Sequence, residues 1–72
     1  MLEHFKKLIG RQVEIETDCD VFSGQLSDVF AIGEGENCTL INFVFEACSD
    51  QDDRILGKTI IAWSDGFRIS QT

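Results

Sequence analysis

The chain has 72 residues and a formal charge of −7, with thirteen acids against six bases. That length holds one domain, residues 1–72, and a domain so small buries only about 60% of the surface its unfolded chain exposes. Residues 12–53 contain no lysine or arginine and eleven of the thirteen acids, which excludes a broad basic surface for gripping phosphates unless oligomer symmetry concentrates the few bases.

Residues 2–9 are predicted to be a helix: Leu2, Phe5, Leu8 and Ile9 recur at helical spacing, Glu3, Lys6 and Lys7 lie opposite, and Gly10 stops it. His4 is read as an exposed helix residue. The segment is amphipathic, neither a signal peptide nor a membrane span, so a soluble, cytoplasmic protein without a membrane partner is expected. After Gly10 the period becomes two, Val13 and Ile15 alternating with Glu14 and Glu16 in a half-buried strand. A turn follows at residues 17–20.

Residues 21–32 form a longer extended run. Phe22, Gly24, Leu26, Phe30 and Ile32 share one parity and are expected to face the core, with Asp28 an odd member of the set. Gly24 marks a bend. The sequence G-E-G-E-N at residues 33–37 is a turn between strands. A phosphate loop would lead into a helix, whereas here a β-rich run follows, and Glu34 and Glu36 repel phosphate.

Residues 38–47 are apolar at both parities, Leu40 and Val44 on one side and Ile41, Phe43 and Phe45 on the other. Such a strand is covered on both faces, and in so small a domain one cover is expected to be another subunit. The acidic stretch at residues 48–53 lacks the calcium-loop pattern and is read as a solvated loop. Residues 54–64 are extended again, Asp65-Gly66 signals a two-residue hairpin, and residues 67–69 form the last strand.

One short helix and about five bent strands predict a mainly β fold, a small barrel of SH3 or OB type whose closure removes exposed edges. A core this small needs a staple. The three cysteines, Cys19, Cys38 and Cys48, are odd in number and none lies in a C-x-x-C pair, and His4 is the only histidine. Neither a disulfide framework nor a metal site is expected, which leaves self-association, and free thiols fit a reducing compartment. No Ser-His-Asp set or carboxylate pair in an apolar run is present. Neither catalytic activity nor a cofactor is expected.

Three stretches resemble the Sm-like (LSm) family. "GRQVEIETDCDVFSGQL" is similar to its first motif through Gly10, Val13, Ile15, Asp18, Gly24 and Leu26. "INFVFE" (residues 41–46) is similar to its M-N-L-V-L-E strand, and "ILGKTIIAWS" (residues 55–64) to its second motif, with Gly57 and Ile60 in register. The chain departs at Cys19, where the family has a turn glycine, and at Leu56, where it has arginine. It is also several residues longer between G-x-L and the asparagine.

The resemblance implies a strongly bent five-stranded antiparallel SH3-like barrel with a short N-terminal helix. It also implies homo-oligomeric rings of roughly five to eight subunits, joined edge strand to edge strand. Single-stranded RNA would bind at the pore. Asn37 or Asn42 would hold a base edge, Phe30 would stack on it, and Gly57 with Lys58 would supply the second motif, Lys58 offsetting the missing arginine. Competing structural roles are a core position for Phe30, a hydrogen-bonded position for Asn42 and a backbone requirement for Gly57. Two functions follow: a ring that binds RNA or assists its processing, and an acidic scaffold that meets a basic protein without RNA.

Overall fold

The alternation of Val13 and Ile15 with two glutamates produces a strand, β1 (Gln12–Thr17), whose two apolar side chains are fully buried. The computed structural model describes residues 2–72. In it a short helix, α1 (Leu2–Lys6), precedes β1, and β2 (Val21–Gly35), β3 (Cys38–Asp50), β4 (Ile55–Trp63) and β5 (Phe67–Gln71) follow. The five strands form one antiparallel sheet in the order β4-β3-β2-β1-β5.

The long β2–β3 ladder bends through three register shifts. Gly24 lies at the first. A β-carbon there would run into the backbone carbonyl of Ala47, so only glycine lets the two strands approach so closely. At the next shift β2 advances two residues, from Leu26 to Asp28, while β3 advances one, from Phe45 to Val44. This bulge changes the parity of β2. Leu26 and Val29 are both buried, and Phe30 and Ile32, expected in the core, are 41% and 44% exposed. The place of Asp28 is explained by the same slip: it lies on the exposed face.

Val13, Ile15, Leu26, Val29, Ile41, Phe43, Phe45 and Cys48 form the core, with Leu2, Phe5, Leu8, Phe22, Ile60, Phe67 and Ile69 packed against it. The α1 helix covers one end. Phe5 meets Phe43 at 5.7 Å and Phe67 at 5.6 Å between ring centroids, and Phe43 meets Phe67 at 5.0 Å. The Phe5–Phe43 and Phe43–Phe67 pairs meet edge to face, and such contacts add about 0.5–1.5 kcal/mol per pair beyond area burial. The helix is shorter than the predicted residues 2–9. Its last turn gives way to Gly10, at φ 87°, whose amide donates to the Leu26 carbonyl at 2.7 Å and ties the chain to β2.

Two further expectations are corrected. Asp65-Gly66 is a turn but does not make a hairpin, because β4 and β5 lie at opposite ends of the sheet. The Ser64 amide donates to the Thr39 carbonyl and the Gly66 amide to the Trp63 carbonyl, both at 2.8 Å, and the chain crosses over to pair β5 with β1. The sheet is strongly bent yet open: among the described residues nothing pairs with the outer edge of β4 or β5. The two-sided cover expected for β3 is half present. Ile41, Phe43 and Phe45 are buried, and Leu40, Asn42 and Val44 on the other face are only half-buried. Among the described residues no helix is long and apolar enough to cross a membrane.

Candidate functional site

The register of the three strands at the β4 end places nine residues on one outer face. Gly33, Leu40 and Trp63 form one row, Phe30, Asn42 and Ile61 the next, and Asp28, Val44 and Thr59 the third. Directly paired residues on neighbouring strands point to the same side, with rows about 7 Å apart and strands about 4.8 Å apart. Asn42 is the centre of this grid. Its Oδ1 is enclosed and accepts no hydrogen bond. Phe30, Ile61 and Trp63 around it are 41%, 53% and 42% exposed.

The structure therefore brings Phe30 and Asn42 together and separates the other candidates. Asn37 is exposed at the tip of the β2–β3 hairpin with φ 64°. That left-handed conformation suits asparagine and is reason enough for the residue. It stands five residues from Asn42 along β3, about 17 Å. Gly57 has φ 140°, a conformation side chains rarely adopt, and pairs with Cys48 at an irregular part of the β3–β4 ladder. Lys58 beside it is exposed and three residues from Ile61, about 10 Å along β4. The hydrogen-bonded role for Asn42 is not met at its Oδ1, and the core role for Phe30 is overturned by the bulge. Ile61 and Trp63 were not among the sequence candidates. The signal for Ile61 is the apolar doublet Ile60-Ile61, which gives β4 an apolar residue on each face, and Trp63, two residues on, shares the face of Ile61.

No protein-family model, curated protein or solved structure matches this chain.

A groove of about 630 Å³ runs beside the free edge of β4. It is bounded by residues 59–63, by Phe22, by Thr17, Asp18 and Cys19 of the β1–β2 turn, and by Asp65 and Gly66. Its charged lining is acidic. The β2–β3 hairpin lies against the β4–β5 turn, since the Thr39 amide donates to Ser64 Oγ at 3.0 Å. Glu34, Glu36 and Asp65 thus collect at one end of the molecule with no basic residue in either loop.

The acidic loop after β3 is only partly solvated. Asp52 and Asp53 are exposed, but Asp50 is 2% exposed and organises the loop. Its Oδ1 accepts from the Asp52 amide at 2.9 Å and the Arg54 amide at 3.1 Å, and its Oδ2 from Arg54 Nε at 3.1 Å and an Arg54 Nη at 2.8 Å. Burial pushes the Asp50 carboxyl up. The Arg54 and Asp52 hydrogen bonds outweigh it and hold the group below its ordinary value. Among the described residues no group of His, Cys, Asp or Glu is arranged to hold a metal ion.

Proposed function

We propose that this chain is a self-assembling scaffold subunit of Sm-like build, whose copies join edge to edge into a ring and present acidic loops to a basic partner protein. The observation that carries the reading is the pair of unpaired edges at opposite ends of one bent sheet. A free edge is a template for another strand. The β4 edge also carries Ile55, Leu56, Ile61 and Trp63 at 79%, 51%, 53% and 42% exposure, more apolar surface than a solitary edge strand normally tolerates. The charge of −7 and the acidic loops favour a basic partner and repel a phosphate backbone.

Single-stranded RNA binding, with a role in RNA processing or as a chaperone, is a second reading. It is favoured by the exposure of Phe30 next to Asn42, a flat ring beside an amide able to read a base edge. Native mass spectrometry of the purified chain, alone and with a short single-stranded RNA or an arginine- and lysine-rich polypeptide, tests both. A ring that takes up the polypeptide in a salt-sensitive way and leaves the RNA free is the expected result. A monomeric mass overturns the assembly, and a ring that retains RNA instead replaces the first reading with the second.

A further inference from the structure

The grid around Asn42 combines three demands on an occupant. Exposed Phe30, Ile61 and Trp63 call for a flat or apolar surface. The orphaned Asn42 Oδ1 calls for an N–H donor, because a buried acceptor without a partner is costly. Asn42 stands between Phe30 and Ile61 in its row, both of them exposed, so an occupant would reach the enclosed oxygen by displacing one of these side chains. The third demand is charge. Asp28 lies on the same face, one row from Phe30, its Oδ1 accepting from the Val29 amide at 2.8 Å. Neither β2 nor β3 carries a lysine or arginine.

A guanidinium meets all three at once. It is planar, stacks on aromatic rings, donates through a rigid fork and carries a full positive charge. An ammonium donates and is charged but does not stack. A nucleic-acid base stacks and donates, but its phosphates would face Asp28, Glu34 and Glu36, with Lys58, beside Thr59 on β4, the one basic residue on these three strands to offset them. We propose that the face centred on Asn42 binds an arginine-bearing extended segment of the basic partner. One guanidinium lies against Phe30, donates to Asn42 Oδ1 and sits within about 7 Å of the Asp28 position. This rests on the basic-partner reading above and supplies its recognition surface, which uses the outward side chains of Ile61 and Trp63 while assembly uses the backbone edge of the same strand.

Trp63, the only tryptophan, lies in the adjoining row and reports on occupancy. The intact chain is titrated with a short peptide alternating arginine and glycine, with its lysine twin, and with a short single-stranded RNA, following tryptophan emission. The arginine peptide is expected to bind saturably and more weakly as salt rises, with the lysine twin about fivefold weaker. Phe30→Ala is expected to weaken the arginine peptide about tenfold, and Asn42→Leu to weaken it while leaving the melting temperature no lower. Thermal melts of both variants separate lost binding from lost fold. Binding of the arginine peptide unchanged in both variants places the basic segment elsewhere and overturns the inference while sparing the basic-partner reading. No binding of either peptide at low salt overturns both. RNA binding tighter than the peptide and lost in the same variants overturns the peptide in favour of RNA.

Discussion

The indole of Trp63 lies over Gly35, so close that a β-carbon at Gly35 would sit 3.1 Å from its Cζ3 and 3.2 Å from its Cη2. The second glycine of the G-E-G-E-N turn is therefore space for a ring that arrives from β4. Gly35→Ala is expected to push the indole outward. The cost is modest, about 0.5–1 kcal/mol, because the obstacle is the far edge of a side chain and not backbone. A red shift in tryptophan emission with a small drop in the denaturation midpoint is the expected pair of results. An unchanged spectrum would mean that the ring does not rest there.

Gly24 is a different case. The atom in the way is the Ala47 carbonyl oxygen, part of the β3 backbone at the register shift and unable to turn aside as a side chain would. Gly24→Ala is expected to cost about 3 kcal/mol or more, a large part of the stability of so small a domain. Gly33→Ala is the control. The nearest atom to a new methyl there is Leu40 Cβ at 3.9 Å, and the change is expected to stay within about 0.5 kcal/mol of the parent. Urea melts of the two variants side by side measure the difference.

The sequence shows the strands better than their registration. Val13 and Ile15 in β1, and Ile41, Phe43 and Phe45 in β3, alternate visibly and are buried as expected. Phe30 is misread because a single bulged residue reverses parity, and nothing in the local composition marks where the bulge falls. Asp65-Gly66 is a true turn, but whether the next strand folds back on β4 or crosses to β1 depends on contacts distant in sequence, such as Ser64 with Thr39. The Phe30–Asn42–Ile61 row is hidden for the same reason. Its members come from three strands, and only the register joins them.

Asp50 makes the acid limb of stability predictable in sign. Its folded pKa lies below its unfolded value of about 3.9. Its contribution is therefore complete above that value and is lost as pH falls through the folded value. Asp50→Asn, which loses the charge-assisted bonds to Arg54, is expected to lower the melting temperature at neutral pH. The gap from the parent should narrow steadily below about pH 4. A gap that is constant with pH would show that the carboxylate charge is not what Arg54 holds.

The three thiols differ in access: Cys19 is exposed, Cys38 intermediate and Cys48 buried. Burial also pushes the Cys48 thiol up, which keeps it protonated and unreactive. Alkylation followed by mass spectrometry is expected to modify Cys19 first and Cys38 next, with Cys48 reacting only on unfolding. Because the folded pKa of Cys48 is raised, its share of stability is full below the unfolded value of about 8.5 and declines as pH rises through the folded one. Early labelling of Cys48 would indicate that the β2–β3 bend opens readily.

The proposed edge-to-edge assembly is testable by a change that spares the fold. The Ser64 amide bonds the Thr39 carbonyl, which sets the alternation of the β3–β4 ladder. Ile41 then exchanges hydrogen bonds with Ala62, and Phe43 with Ile60, while the amides of Thr59 and Ile61 turn to the free edge. Proline at an outward-facing amide removes no bond within the chain, whereas at an inward-facing one it breaks the ladder. Thr59→Pro is expected to leave the domain folded, within about 1 kcal/mol of the parent, and to reduce the assembly to a smaller species. Ile60→Pro, one residue on, is expected to cost about 3 kcal/mol or more and unfold it. Circular dichroism reads the fold and light scattering the mass. A Thr59→Pro chain that is folded and still fully assembled would show that the copies meet somewhere other than the β4 edge.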